Sequence, residues 1–132
     1  MKHQFLTLTI LLLLLFPSCN KSPGIGGKAI IKGKIIVDEI SFLGEIESSH
    51  PAQDHDVYII YGNSSNIPND NTETSFDGAF EFKNLNKGDY VIFTYSECKN
   101  CPNGLDSVVL KNISITNRKE NIEIEDIHIA DF

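Results

Sequence analysis

The chain has 132 residues, in which 18 acidic residues outnumber 11 lysines and arginines and give a net charge of −7. Such acidity argues against a nucleic-acid partner, whose phosphates need a basic surface, and against electrostatic docking on anionic lipid. The length is that of one domain able to bury a hydrophobic core.

The N-terminus has the pattern of a secretory signal. Lys2 and His3 precede a largely apolar run from Phe5 to Phe16, and Pro17-Ser18-Cys19 interrupts that run. A run of about twelve residues is too short to cross a bilayer, which takes about twenty. A basic start, a short apolar core and a small residue at the break are typical of a signal peptide. We therefore predict a signal peptide over residues 1–18.

Cys19, at the end of this segment, resembles the cysteine of a bacterial lipobox, with Ser18 directly before it. The resemblance implies that Cys19 carries lipid and that the protein is a lipoprotein of the cell envelope. Phe16 and Pro17 depart from the usual motif, and ordinary secretion without lipid is the alternative. Because Asn20 follows the cysteine, where a retention signal for the inner membrane has Asp, we expect an outer-membrane lipoprotein that faces the periplasm or the cell surface.

A flexible tether is predicted next. Residues 20–27 read NKSPGIGG, with one proline, three glycines and no apolar periodicity. We therefore divide the chain into a signal peptide at 1–18, the lipidated cysteine and its tether at 19–27, and a folded domain at 28–132.

Short β-branched and aromatic runs, separated by turn residues, make up the rest of the chain. Their alternation predicts seven strands, and no amphipathic helix of useful length is indicated. The predicted strands are Lys28–Asp38, Val57–Tyr61, Thr72–Phe76, Ala79–Lys83, Asp89–Ser96, Ser107–Thr116 and Asn121–Ile129. The polar segment Glu39–Asp56 is expected to be a long connection. The pattern predicts an all-β sandwich.

Two local features refine this map. Asp77-Gly78 is the strongest turn signal in the chain and predicts a hairpin before the strand that carries Phe80 and Phe82. In the last predicted strand, Ile122 and Ile124 share one parity, whereas Ile127 and Ile129 have the other. One extra residue would place all four on the same face, so we expect a β-bulge near Glu125-Asp126.

The segment from Thr74 to Phe93 (TSFDGAFEFKNLNKGDYVIF) resembles the carboxypeptidase-regulatory-like, or transthyretin-like, domains of bacterial surface proteins. The matching residues are Thr74, Asp77, Gly78, Phe80, Phe82, Leu85, Gly88, Tyr90 and Ile92. The resemblance implies a single seven-stranded Greek-key β-sandwich that needs no cofactor. Its members mostly serve as accessory, spacer or binding modules, so we expect no enzymatic activity.

Cys98 and Cys101 are two cysteines in one loop of an exported protein. A local disulfide is the expected state in an oxidising compartment. Redox activity is an alternative, although a thioredoxin-like site would place the pair at a helix start, and Pro102-Asn103-Gly104 favours a loop. Metal binding is another alternative, although the four ligands of a structural zinc site are not evident.

No other group of residues carries a strong chemical signal. The segment with His50, Asp54, His55 and Asp56 contains metal-ligand types, but a polar surface loop is the commoner reason for such a composition. We expect no metal. Neither a G-x-S-x-G elbow nor an H-E-x-x-H motif is present. His128 should point to solvent, since it alternates with Ile127 and Ile129.

Phe93 and Tyr95 are the candidate binding residues. If Tyr90, Ile92 and Thr94 face the core, then Val91, Phe93 and Tyr95 lie on the outer face of the sheet. An exposed aromatic face would bind a glycan or a protein. We nevertheless expect a neighbouring loop, for example Glu39–Asp56, to cover this face. The sequence thus predicts a non-catalytic structural or protein-interaction module of the envelope, with glycan binding through the aromatic face as the second hypothesis.

Overall fold

The computed structural model describes residues 21–63 and 65–132, which form nine strands. The predicted signal peptide and Cys19 lie outside these residues. A single turn of 3-10 helix spans Pro102–Gly104. Among the described residues, no helix is long and apolar enough to cross a membrane. The strands are β1 Ile25–Ile40, β2 Ile46–Pro51, β3 Asp56–Tyr61, β4 Asp70–Glu73, β5 Ala79–Leu85, β6 Gly88–Ser96, β7 Ser107–Ile115, β8 Asn121–Glu123 and β9 Ile127–Asp131.

The strands form two sheets that pack as a sandwich. A four-stranded antiparallel sheet has the order β4-β3-β6-β7. The other sheet has five strands, with β1 at its centre. The predicted all-β architecture is confirmed. The predicted count of seven strands is not confirmed, because the described chain has nine.

Strand β1 changes partners halfway along its 16 residues. Its first half lies between β5, which is antiparallel, and β8, which is parallel. Its second half lies between β2, which is antiparallel, and β9, which is parallel. One long strand therefore joins two short sheet halves and connects the two ends of the domain, which at about 3.3 Å per residue are roughly 50 Å apart.

The core lies between the sheets and consists mainly of isoleucine and aromatic side chains. In β1, β5 and β7, buried residues alternate with more exposed ones, which is the pattern of a strand with one buried face. Fully buried side chains include Ile31, Ile35, Val57, Ile59, Leu85, Tyr90, Ile92 and Ile127. Phe80 and Phe82 pack edge to face, with ring centroids 6.2 Å apart. The predicted core positions of Phe80, Phe82, Leu85 and Tyr90 are confirmed.

The expectation that Glu39–Asp56 is a connection without strands is wrong. It contains β2, whose residues 46–51 are all exposed and pair with β1. The strand has no apolar alternation because neither face is buried, and therefore its sequence gives no strand signal.

The last predicted strand is two strands. Residues 124–126 separate β8 from β9, so a break takes the place of the expected bulge. The bulge was expected to place four isoleucines on the same face. The break has that effect, because Ile127 and Ile129 are in the core and Ile122 and Ile124 pack against it.

The turn at Asp77-Gly78 joins the two sheets and does not form a hairpin. Strand β4 ends at Glu73 in the four-stranded sheet, four residues before the turn, and β5 begins in the other sheet. Gly78 has the positive φ that the pattern predicts, at 76°. Its carbonyl accepts a hydrogen bond from the Ile35 N–H at 2.9 Å, so the turn packs where β1 changes from β5 to β2.

The second half of the predicted tether is part of the domain. Strand β1 begins at Ile25, three residues before the predicted domain boundary at Lys28. The Gly24 N–H donates a hydrogen bond to the buried Tyr90 hydroxyl at 2.9 Å, and that hydroxyl donates to the Asn86 carbonyl at 2.8 Å. The glycines here permit close approach between two segments of the backbone, so their presence does not indicate flexibility.

Candidate functional site

The outer face of the four-stranded sheet carries a row of apolar side chains across three strands. The register places Tyr58 of β3 beside Phe93 of β6, and Phe93 beside Leu110 of β7. Tyr95 lies beside Val108 in the next row. Side chains of one parity share a sheet face, so all five point away from the core.

The aromatic members of this row pack on one another. The Tyr58 ring stacks on Phe93, with centroids 5.1 Å apart, and Tyr95 meets Phe93 edge to face at 5.9 Å. Phe93 is therefore only 7% exposed, whereas Tyr95 is 43% exposed. Burial raises the pKa of the Tyr58 hydroxyl, and the Asp56 carboxylate adds to the shift. Of the two residues that the sequence singled out, Tyr95 alone offers an accessible ring.

A groove of about 510 Å³ runs beside these rings. Its floor consists of aliphatic and aromatic side chains from the three strands, and Val108 and Leu110 are each 51% exposed. The connection between β3 and β4 forms one wall with Asn63, Ser65, Asn66 and Pro68, and Asn112 of β7 also lines the groove. Every described lining residue is uncharged, although the chain is strongly acidic.

The wall of the groove is fixed at its base. The Asn69 side-chain oxygen accepts a hydrogen bond from the Tyr61 N–H at 2.8 Å, and the Asn69 N–H donates to the Ile59 carbonyl at 2.8 Å. Further along, the Ile67 N–H donates to the Ser65 hydroxyl at 3.0 Å. The groove therefore has a formed wall, which reduces the entropy that a ligand would lose by ordering it.

The segment Glu39–Asp56 was the expected cover for this face, but it has another place. Its strand pairs with β1 in the five-stranded sheet, and the described lining of the groove comes from β3, β6, β7 and the β3–β4 connection. Sequence reasoning missed Tyr58, Val108 and Leu110 as members of the face. Their alternation with core residues was a usable signal, since Val57, Ile59 and Val109 have the opposite parity.

Cys98 and Cys101 lie at disulfide-bonding distance, with their Cα atoms 5.5 Å apart. They belong to the β6–β7 connection, at the opposite end of the sheet from the β3–β4 connection. Hydrogen bonds hold this connection to the C-terminal residues: the Glu97 N–H donates to the Ala130 carbonyl at 3.2 Å, and the Phe132 N–H donates to a Glu97 carboxylate oxygen at 3.0 Å. Cys101 directly precedes a 3-10 turn of three residues, and the described chain has no α-helix to support a thioredoxin-like site.

We predict that replacing both Cys98 and Cys101 with serine lowers the free energy of unfolding by about 2 kcal/mol or less, because the loop they close is short. Thermal denaturation of the double variant and the wild type measures the difference. Alkylation of the native protein followed by mass spectrometry is the direct control. Two alkylated thiols in the purified protein would contradict the disulfide.

The segment that contains His50, Asp54, His55 and Asp56 does not assemble a metal site in the described residues, which hold no group of three or more His, Cys, Asp or Glu side chains at binding distance. The His55 ring lies 2.7 Å from the Thr94 hydroxyl, and that hydroxyl donates to the Asp56 carbonyl. His55 therefore has a structural partner that accounts for its position.

Two acid–imidazole pairs lie on the five-stranded sheet, and one of them joins His50 to Glu39 at 3.5 Å. His128 is exposed, as predicted, and its Nδ1 lies 2.8 Å from an oxygen of the nearly buried Asp38 carboxylate. The hydrogen bond from Ser49 and then the contact with His128 hold the pKa of Asp38 below its ordinary value. Asp38 of β1 thus joins three strands through its contacts with Ser49 of β2 and His128 of β9.

No protein-family model matches the chain, and no curated protein matches it in sequence. One solved structure that matches the chain is a candidate carbohydrate binding protein from Pseudomonas aeruginosa, at 13% identity and a TM-score of 0.49, with 89% of this chain and 98% of that chain covered. Another is (S)-allantoin synthase, at 11% identity and a TM-score of 0.45, with 79% of this chain covered. The aligned region is 42% of the synthase chain. Values this low assign no family and transfer no function.

Proposed function

We propose that this chain is a non-catalytic, lipid-anchored module of the cell envelope that binds a protein partner on the outer face of its four-stranded sheet. Its domain is of the transthyretin-like kind, and the match from Thr74 to Ile92 supports this assignment. The fold supplies a rigid support, and the function depends on what the exposed sheet face presents.

The main support for this proposal is the groove on that face. Tyr95, Val108 and Leu110 are each about half exposed and lie next to one another in the register. Exposed apolar side chains that adjoin one another, with polar side chains at their rim, mark interaction sites on soluble domains. The absence of charge among the described lining residues favours the same role, because interface cores are depleted in charged residues.

The chemistry of the floor favours a protein over a glycan. Sugars stack on the exposed faces of aromatic rings, but Tyr58 covers one face of Phe93 and the ring is almost fully buried. Most of the accessible floor is aliphatic, from Val108 and Leu110. Aliphatic side chains pack well against the apolar side chains of a protein partner.

Leu110→Glu should abolish capture of the partner while leaving the domain folded. Leu110 is half exposed and outside the core, so the substitution should change the free energy of unfolding by less than about 1 kcal/mol. In the groove, however, a buried carboxylate without a partner would cost several kcal/mol of binding. The measurement is affinity capture by the tagged wild type and variant from the envelope in which the protein resides, followed by quantitative mass spectrometry.

Ile46→Glu is the matched control. Ile46 is an aliphatic residue that is 60% exposed, and it lies on β2 in the other sheet. Capture by this variant should equal capture by the wild type. Loss of the same partner from both variants, or from neither, would contradict a binding site in the groove.

Glycan binding is the second candidate, and the arrangement of Tyr95 with three asparagines favours it. Tyr95 offers a half-exposed ring, and Asn63, Asn66 and Asn112 line the same groove with amides that can bond hydroxyl groups. Tyr95→Ala should then eliminate binding of envelope polysaccharide in a calorimetric titration. Binding that survives protease treatment of the polysaccharide and is lost with Tyr95 would favour a glycan over a protein.

Cys19→Ala should release the protein from the membrane fraction, because the proposed lipid is attached there and a signal segment of this length does not span a bilayer. Cell fractionation with detection of the tagged protein measures the change. A variant that stays in the membrane pellet to the same extent as the wild type would show that another element anchors the chain.

A further inference from the structure

The lysines and arginines of the described chain fall into two groups. Four lysines on the strands form ion pairs with neighbouring carboxylates: Lys32 with Glu123, Lys34 with Asp77, Lys83 with Glu81 and Lys111 with Glu125. A fifth, Lys99, lies over the Phe42 ring, with its Nζ 4.9 Å from the centroid. The side chains of this group have their partners within the domain.

The second group consists of five cations that form no ion pair among residues 21–63 and 65–132. We call them the basic end, and they are Lys21, Lys28, Lys87, Arg118 and Lys119. Lys21, Lys87 and Arg118 line one open cleft of about 390 Å³, together with Gly26, Gly27, Leu85 and Asn86. The cleft brings together the start of β1, the β5–β6 turn and the β7–β8 connection.

The acidic residues near the basic end have other partners. The Glu120 carboxylate accepts hydrogen bonds from the backbone N–H groups of Thr116 and Asn117 at 2.7 and 2.9 Å, and these bonds lower its pKa. Asp89 accepts a hydrogen bond from the Ser114 hydroxyl. Both carboxylates are thus turned to the backbone or to a hydroxyl, and neither forms an ion pair with a cation of the cleft.

The opposite end of the domain is acidic. The segment from Asp38 to Asp56 contains six acidic residues and no lysine or arginine. Asp131 of β9 lies opposite Glu39 of β1 at the same end. The charge is therefore distributed unevenly along β1, although the net charge of the chain is −7. Electrostatic docking depends on the local charge that faces a partner, so the average acidity of the chain does not exclude it.

We propose that the basic end docks on the anionic headgroups of the membrane that holds the protein, and the assignment of Cys19 as the anchor supports this orientation. Lys21 follows Cys19 by two residues, a distance of at most about 7 Å of extended chain. The residues after Lys21 are fixed to the β5–β6 turn, where the Asn86 side-chain amide donates to the Ile25 carbonyl at 3.0 Å. A lipid at Cys19 thus brings the basic end to the bilayer surface.

This orientation has a consequence for the groove. Strand β1 runs from the basic end to the acidic end, and the outer sheet face lies along the side of the domain. With the basic end held on the membrane, the acidic end points away from it, and the sandwich stands upright. The face with Tyr95, Val108 and Leu110 then remains open to a partner.

Vesicle sedimentation tests the proposal independently of the anchor and of the groove. The protein is the chain from residue 19 with Cys19→Ser, whose described part contains all nine strands and the core. We expect it to sediment with vesicles of phosphatidylcholine and phosphatidylglycerol in about 0.05 M salt and to be released in about 0.5 M salt, where charges are screened. Vesicles of phosphatidylcholine alone should not bind it.

Two triple variants with equal net charge locate the interaction. Replacing Lys21, Lys87 and Arg118 with glutamine should lower the partition coefficient by about a hundredfold, since each cation near an anionic surface contributes about fivefold. The control replaces the paired Lys34, Lys83 and Lys111 with glutamine and should bind within about threefold of the wild type, since it leaves the basic end intact.

Three results would overturn the proposal. They are equal losses from the two triple variants, binding that persists in high salt, and displacement from vesicles by soluble glycerophosphoglycerol. The last result would indicate a discrete anion site in the cleft and not a membrane surface. Fractionation of Cys19→Ala and capture by Leu110→Glu report on the anchor and the groove separately, so a failure of those proposals is distinguishable from a failure of this one.

Discussion

Replacing Gly27 with alanine should destabilise the domain by on the order of 4 kcal/mol, a large part of the roughly 5–15 kcal/mol that holds such a domain together. A Cβ atom at this position would overlap the carbonyl group of Leu85 and would lie 2.7 Å from the Asn86 Cα. These atoms belong to the backbone of β5 and its turn, which cannot rotate away as a side chain can. The part of β1 from Ile25 to Ala29 would therefore have to separate from β5.

Urea denaturation measures the effect, and Gly26→Ala is the neighbouring control. Gly26 has a positive φ of 112°, but the nearest atom to its Cβ position is a side-chain amide 4.0 Å away. Its substitution should cost only the backbone strain, about 1–3 kcal/mol. If residues 20–27 were a flexible tether throughout, both variants would have the stability of the wild type, and that result would contradict the described path of the chain.

Gly78→Val should cost on the order of 4 kcal/mol, because two penalties add at this position. The backbone φ of 76° disfavours any β-branched residue. A Cβ atom would also lie 2.5 Å from the Ile35 carbonyl oxygen and 3.2 Å from the Pro51 Cβ. The turn would therefore lose its contact with the middle of β1, where the antiparallel partner of β1 changes from β5 to β2.

Gly62→Val separates the two penalties. Gly62 has the same φ of 76°, yet no atom lies within 4 Å of its Cβ position. Its substitution should show the φ penalty alone, about 1–3 kcal/mol. Denaturation midpoints of the two valine variants, compared in one urea series, give the steric part by difference. Equal losses would mean that the close packing of the Gly78 turn on β1 contributes nothing.

The sequence was most informative where one strand face is buried. Strands β3, β5, β6 and β7 were predicted within one or two residues at each end, because they are rich in β-branched and aromatic residues and turn residues separate them. The signal failed for β2, whose residues are exposed on both faces, and for the start of β1, where glycines serve close packing. The local pattern also did not show which sheet each strand belongs to. The turn at Asp77-Gly78 was predicted as a hairpin within one sheet, but it joins two sheets.

The candidate site was predictable in part. The alternation in β6 placed Phe93 and Tyr95 on the outer face, and the structure confirms that parity. The same reasoning applied to β3 and β7 would have added Tyr58, Val108 and Leu110. What it could not supply is the stacking that buries Phe93, since that depends on the register between β3 and β6.

The basic end could not have been found from the sequence. Lys21, Lys87 and Arg118 are about 30 to 100 residues apart along the chain and meet only because β1, the β5–β6 turn and the β7–β8 connection share one end of the fold. Whether a lysine is paired likewise depends on cross-strand neighbours. Net charge, which the sequence does give, led to the opposite expectation about anionic lipid.

Site-specific photo-crosslinking in intact cells tests the central proposal, that the groove binds a protein partner, most directly. A photoreactive amino acid at position 110 lies on the groove floor, and the same amino acid at position 46 lies somewhat more exposed on the other sheet. We predict a discrete protein adduct from position 110 that is absent from position 46. Adducts of the same size and yield from both positions, or an adduct from position 46 alone, would contradict it.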